Sequence, residues 1–245
     1  ESRLLEIVGD VIVRSDSLDM WTDSLRVFRD EGKGFAYGSV RIETEDGAIG
    51  IGDRARYDRQ AEWLTLLDEA RVIDGANVIE GDSILIRQAE GTMEAWGSVK
   101  VVDEVNRSVV EGRHGFFDRE TGLAVVDSLP VFRSRRGTGP ITTVHSDWLS
   151  FDETEDVSTA IGDVDFVQGA TQAHADTARF YSEDLLVLDG APSVQREGRV
   201  MSGEQIRFTY VEGDLERIDV YGQASLVDST RDTLSREFTG IPLAN

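Results

Sequence analysis

The chain has 245 residues, no cysteine and four prolines, so it is long enough to bury a core without disulfides or thiolate metal sites. Its 47 acidic and 25 basic residues leave a net charge of −22, which repels nucleic-acid phosphates and excludes counterion release as a source of binding. That charge also disfavours broad contact with an anionic membrane surface, and no apolar run approaches the ~20 residues of a spanning helix.

The N-terminal stretch Glu1-Ser2-Arg3-Leu4-Leu5-Glu6 lacks the basic-then-apolar layout of a signal peptide. From there onward the chain is organised by an internal repeat with two half-motifs. The first half is a small residue, an acid and an alternating apolar strand. It reads SDSLDM (15–20), GDRARY (52–57), GDSILI (81–86), SDWLSF (146–151), ADTARF (175–180) and GEQIRF (203–208), with a degenerate copy GRHGFF at 112–117. The second half is built on Gly or Asp: AYGSVRI (36–42), LLDEARV (66–72), AWGSVKV (95–101), VVDSLPV (125–131), AIGDVDF (160–166), VLDGAPS (187–193) and VYGQASL (220–226).

Apolar residues alternate in both halves, which is the period of a strand and not of an amphipathic helix. The shared parity predicts an inward row of Leu18, Met20, Ala55, Tyr57, Ile84, Ile86, Phe117, Leu149, Phe151, Phe180, Ile206 and Phe208. Val99, Val101 and Phe166 continue it on the second half, as do Leu123/Val125, Leu129/Val131 and Leu185/Val187. Arg56, Arg179 and Arg207 are expected to face water.

Two strands in each of seven repeats predict fourteen to sixteen strands, too many for one flat sheet, so two facing sheets are expected. Asp46-Gly47, Asp74-Gly75, Glu90-Gly91, Glu120-Thr121-Gly122 and Glu212-Gly213 supply the turns. The expected fold class is an all-β, elongated open β-jellyroll forming one repeat-built domain over 1–245. It carries a loop insertion near 133–141 and a non-repeat C-terminal segment, 229–245.

The recurring acids Asp16, Asp53, Asp82, Asp147, Asp176 and Glu204 fit turn hydrogen bonding at strand starts better than a calcium ladder or a row of catalytic carboxylates. His145 and His174 share a repeat position and lack a third metal ligand, and His114 completes no triad. No catalytic residue, metal site or cofactor is expected. Trp21, Trp63, Trp96 and Trp148 read as packed core or rim residues. Arg133, Arg135 and Arg136 form the one local basic cluster, where guanidinium groups could clamp an anionic headgroup.

Residues 52–74 and 81–103 resemble the OstA-like, or LptA-type, repeat: Gly52-Asp53 to Tyr57-Asp58, then Ala95-Trp96-Gly97-Ser98-Val99. The resemblance covers roughly 10–228 and departs from the family in the bulky residues before the central Gly or Asp. It implies a periplasmic, non-enzymatic transport protein, free or tethered to or associated with the inner or outer membrane. Such a protein would hold lipopolysaccharide or a related glycolipid by its acyl chains between two sheets and pass it toward the outer membrane. It also implies end-to-end strand addition with other jellyroll transport components or in a head-to-tail homo-oligomer, with Val11–Met20 and Ile218–Val227 as the meeting strands. A dry-cored structural β-repeat scaffold and a carbohydrate-active jellyroll enzyme are the alternative classes.

Overall fold

The computed structural model describes residues 3–15, 18–45, 47–135, 138–181, 184–211, 213–228 and 236–237. These residues are all β and contain no helix. Their contacts divide the chain into two compact units, 1–105 with 111–120, and 106–110 with 121–245.

Unit 1 is a meander in which each strand is antiparallel to the next: β1 (Leu4–Arg14), β2 (Leu18–Phe28), β3 (Lys33–Thr44), β4 (Ile49–Asp58), β5 (Trp63–Asp74), β6 (Asn77–Arg87) and β7 (Thr92–Asp103). Residues 111–118 of β8 (Ser108–Asp118) also belong to it. Alternation within strands becomes rows across them. Leu25, Ala36, Ala55, Leu66, Ile84 and Ala95 are successive cross-strand partners, and all are buried. The next row inward from solvent is Val27, Gly34, Tyr57, Leu64, Ile86 and Met93. Between these two runs the outward row of Arg26, Phe35, Arg56, Thr65, Leu85 and Glu94. The tryptophans lie on outward rows and none is buried, so they are not core residues: Trp63, for example, pairs with Asp58 and Arg87.

At mid-strand the register shifts in every one of these ladders, for example at Trp21/Ser24, Tyr37/Val40, Ile51/Arg54 and Leu67/Ala70. Pairs of left-handed residues make the shift, among them Gly38-Ser39 and Asp68-Glu69. The acid of the first half-motif lies over the glycine of the second. A Cβ added at Gly97 would stand 2.1 Å from Asp82 Oδ2, and one at Gly190 would stand 2.4 Å from Asp176 Cβ. Backbone bonds complete the bulge: the Asp176 N–H donates to Gly190 O at 3.1 Å and the Glu204 N–H to Gly222 O at 3.0 Å. The two half-motifs are therefore the two sides of one bulge, and β-bulges bend strands. Asp53, Asp82 and Asp176 occupy mid-strand bends and not the expected strand starts; Asp16 lies outside the described residues.

This geometry corrects the alignment of the first repeat. Asp23 faces the glycine of β3, with a Cβ at Gly38 falling 2.2 Å from Asp23 Oδ2. Thr22-Asp23-Ser24-Leu25 nearly duplicates Ser15-Asp16-Ser17-Leu18, and only the former is in register with the later repeats. Leu18 and Met20 consequently belong to the other half of β2, opposite Thr44 and Ile42.

In unit 2 several strands are broken at the bend: β9 (Leu123–Asp127), β10 (Val131–Arg135), β11 (Ile141–His145), β12 (Trp148–Asp152), β13 (Val157–Gln168), β14 (Thr171–Tyr181), β15 (Leu185–Asp189), β16 (Ser193–Arg196), β17 (Arg199–Ser202), β18 (Gln205–Val211), β19 (Asp214–Tyr221), β20 (Ser225–Asp228) and β21 (Arg236–Glu237). One ladder runs β9–β12–β13–β14–β15–β18–β19. The other runs β10–β11–β13–β14–β16–β17–β20–β21. The 21 described strands exceed the expected fourteen to sixteen because the bend splits strands such as β15/β16 and β17/β18; the all-β jellyroll class is as expected.

Three local expectations are corrected here. The stretch 133–141, read as a loop insertion, joins the paired strands β10 and β11 and includes their inner ends, with Arg133 opposite Thr143 and Arg135 opposite Ile141. In β9 and β15 the inward parity is Ala124/Val126 and Leu186/Leu188, set by pairing with Phe151/Leu149 and Phe180/Ala178, and not Leu123/Val125 and Leu185/Val187. Leu129 is 72% exposed, because Ser128 and Leu129 take the left-handed bulge positions. The segment 229–245 lies outside the described residues apart from 236–237.

Candidate functional site

Small inward residues leave unit 1 partly hollow. Gly34, Ala36 and Ala55 occupy inner positions of β3 and β4 where β5 and β6 carry Leu64, Leu66, Ile84 and Ile86. The result is a cleft of about 730 Å³, within the range of small-molecule sites. Val13, Met20 and Ile42 line it from one half of the bent strands. Leu25, Val27, Ala36, Ala55, Tyr57 and Leu64 line it from the other. Inner faces on both sides of the bend thus look onto one space. Leu18, Ser15, Gly32, Gly34, Arg29, Lys33, Arg59 and Gln88 complete the lining.

The polar part of this lining comes from the turns. The Arg29 N–H donates to Arg3 O at 3.1 Å, Arg59 N–H to Gly32 O at 2.9 Å and Gln88 N–H to Glu62 O at 3.0 Å. Successive turns are stacked in this way, which brings the residue after each first-half strand to a common rim.

Unit 2 is filled where unit 1 is open. Phe166 and Phe208 are 1% and 0% exposed and their rings lie 5.8 Å apart, with Phe180 6.4 Å from Phe166. A pocket of about 100 Å³ in this unit is lined by Phe132, Ser134, Thr142, Val144, Leu149, Phe151, Ser158, Phe166, Gln168, Phe180 and Tyr210. Gln168 Nε2 donates to Thr142 Oγ1 at 3.0 Å in its wall, which satisfies both buried groups.

Of the residues singled out in the sequence, Leu18, Met20 and Tyr57 line the larger cleft, and Leu149, Phe151, Phe166 and Phe180 line the small pocket. Ile84, Val99, Phe117, Ile206 and Phe208 are buried, while Ile86 and Val101 are half-buried. Arg56 is exposed, as its parity requires; Arg179 and Arg207 are half-buried. Arg179 Nη1 lies 3.1 Å from Asp189 Oδ2, and Arg207 lies over the Tyr221 ring at 4.8 Å. Arg133 and Arg135 are exposed on β10, alternating with Phe132 and Ser134, which line the small pocket. They line neither cavity, and Arg136 lies outside the described residues.

Arg29, Lys33, Arg59 and Gln88 were not singled out from the sequence. Their signal is positional: Arg29, Arg59 and Gln88 each directly follow the last residue of a first-half strand, and Lys33 opens β3.

His145, Asp165 and His174 are successive cross-strand partners, and His174 Nδ1 lies 3.0 Å from Asp165 Oδ1. Among the described residues no group of three or more His, Cys, Asp or Glu is arranged to hold a metal ion. At the Asp68 bulge, where an acid replaces the usual glycine, Arg54 forms an ion pair with Asp68. Its hydrogen bond holds the Asp68 carboxyl below the ordinary aspartate range, and the same bond raises the guanidinium.

Strand pairing and bulge pattern define the class, an all-β jellyroll whose first unit keeps part of its interior open. Residues 1–92 match the family model described as LptA/(LptD N-terminal domain) LPS transport protein, so the LptA-type resemblance of the repeats is shown over that span. Among solved structures the chain is similar to LptH, the LptA homologous periplasmic component of the conserved lipopolysaccharide transport device from Pseudomonas aeruginosa. The identity is 19% and the TM-score 0.40, over 54% of this chain and 94% of that one. No curated protein matches the chain.

Proposed function

We propose that this chain is a periplasmic carrier of lipopolysaccharide or a related glycolipid, without enzymatic activity, and that it holds acyl chains in the unit 1 cleft. One observation carries the reading: every residue lining the 730 Å³ cleft falls within residues 1–92, the span that matches the transport-family model. Burial of each methylene contributes ~0.8 kcal/mol, so several acyl chains together would be held firmly by apolar walls without specific polar contacts.

Handover to other jellyroll components would use strand addition at β1. Among the described residues of its unit β1 pairs with β2 alone, and it presents Leu4, Ile7, Val8 and Ile12 to solvent, Val8 at 75% exposure. An edge of this kind is a template for a further strand. The strand concerned is Leu4–Arg14, which shifts the expected meeting segment toward the N-terminus.

Native mass spectrometry of gently purified full chain tests the carrier reading. A co-purified glycolipid, or uptake of one from mixed micelles, is the expected result. Protein that stays ligand-free in both conditions would favour the dry scaffold instead.

A further inference from the structure

We propose that Arg29 and Arg59, with Lys33 beside them, form an anion-binding mouth to the unit 1 cleft, so that the cleft selects amphiphiles bearing a phosphate or carboxylate headgroup. The inference rests on the reading of the cleft as an acyl-chain site and adds to it the charge class of the ligand.

Three observations converge on these residues. All three line the same cleft as the apolar row that includes Leu25, Val27 and Tyr57. They do so in a chain of net charge −22, where a local excess of cations at a cavity is contrary to the composition. Several other arginines of this unit are taken up by acids, Arg26 by Glu6, Arg71 by Glu80 and Arg87 by Glu94, and Arg56, which has no ion pair among the described residues, does not line this cleft. Neither Arg29 nor Arg59 has an ion-pair partner among the described residues. Lys33 reaches Glu31 at 3.6 Å.

The acids next to these arginines are used by the backbone. Asp30 Oδ2 accepts the Arg3 N–H at 3.0 Å, and Asp58 Oδ1 accepts the N–H groups of Gln60 and Ala61 at 2.9 and 3.1 Å. Because the turns are stacked through Arg29 N–H and Arg59 N–H, the two guanidinium stems are anchored on neighbouring rungs of one rim. Guanidinium groups offer planar, paired donors that suit phosphate and carboxylate oxygens. The apolar tail then lies against the alanine and glycine floor while the anion stays at the mouth.

Titration calorimetry on the full chain, with ligands below their micelle concentrations, tests this. The probes are dodecyl phosphate, dodecyl maltoside and inorganic phosphate. The proteins are the native chain, the double variant Arg29→Gln/Arg59→Gln, and Arg71→Gln on the outward face as control. The native chain and the control should bind dodecyl phosphate about tenfold more tightly than dodecyl maltoside, the scale of a charge-assisted hydrogen bond. The double variant should bring that ratio close to one, with its thermal melt confirming a folded chain. An unchanged ratio in the folded double variant overturns the anion mouth. Inorganic phosphate binding as tightly as dodecyl phosphate overturns it too, by making the site one for free phosphate. Failure of the native chain to bind either dodecyl ligand refutes the acyl-chain reading itself, a different outcome from loss of the ratio.

Discussion

Replacing Gly97 by alanine tests whether the bulge column specifies the bend. Gly97 has φ +97°, outside the region an L-residue reaches without strain. Its new Cβ would lie 2.1, 2.2 and 2.5 Å from Oδ2, Cγ and Cβ of Asp82. A rotamer change moves the carboxylate but not Asp82 Cβ, so backbone must shift as well. Left-handed strain costs about 1–2 kcal/mol and forced overpacking about 1–3 kcal/mol, so Gly97→Ala should destabilise the chain by about 2–5 kcal/mol. Asp82→Gly alone removes the opposing side chain and should cost about 1 kcal/mol through strand entropy. The double variant should be more stable than the sum of the two losses predicts, by about 1–3 kcal/mol, since the steric part vanishes once Asp82 has no Cβ. Urea denaturation read by far-ultraviolet circular dichroism gives all three values. Additivity within about 0.5 kcal/mol would show that the two half-motifs do not act on each other at the bend.

Ala55→Trp should fill the unit 1 cleft and abolish uptake of a dodecyl ligand in calorimetry; undiminished uptake would place the ligand elsewhere. Phe166→Ala should cost about 3–5 kcal/mol in chemical denaturation while ligand affinity at the unit 1 cleft stays within a factor of two, and a large affinity loss would mean unit 2 shares the site. Val8→Lys should suppress salt-promoted association in sedimentation velocity, because a charge blunts the β1 edge; persistent oligomers would assign assembly to another surface. Asp68 has a lowered carboxyl pKa in the folded chain, so its contribution is present above the unfolded value of about 3.9 and fades as pH falls through the folded one. The small stability gap between native chain and Asp68→Asn should therefore close in acid, and a gap that widens below pH 4 would contradict the sign.

The parity of β4 to β7 was legible because Ala55, Leu66, Ile84 and Ala95 sit at one offset from a Gly or Asp marker, and burial makes a one-residue slip costly. The first repeat was misaligned because Ser15-Asp16-Ser17-Leu18 and Thr22-Asp23-Ser24-Leu25 carry the same local signal. Only the position of Gly38 across the strand pair separates them. In β9 and β15, runs such as Leu185-Leu186-Val187-Leu188 are apolar at every position, so alternation cannot choose a face; pairing with Ala178 and Phe180 does. Arg29 and Arg59 are not marked in the sequence because a turn residue has no period. Their grouping comes from the stacking of separate turns, which strand periodicity does not encode. The openness of the cleft depends on Gly34, Ala36 and Ala55 standing opposite larger residues two strands away, a relation between repeats and not within one.

Among the described residues of unit 1, the strands β1 to β7 pair in sequence order, each with its neighbours. Such a ladder has no late-arriving strand to insert, so each new hairpin can add to the one before as the chain emerges N-terminus first. Its energetics become those of a row of nearest-neighbour couplings, and the loss of one rung weakens its two flanks before it reaches the rest. Length can then change by whole strand pairs, because removal of a down-and-up pair restores chain direction, face parity and the level of the bulge. Removal of a single strand reverses all three.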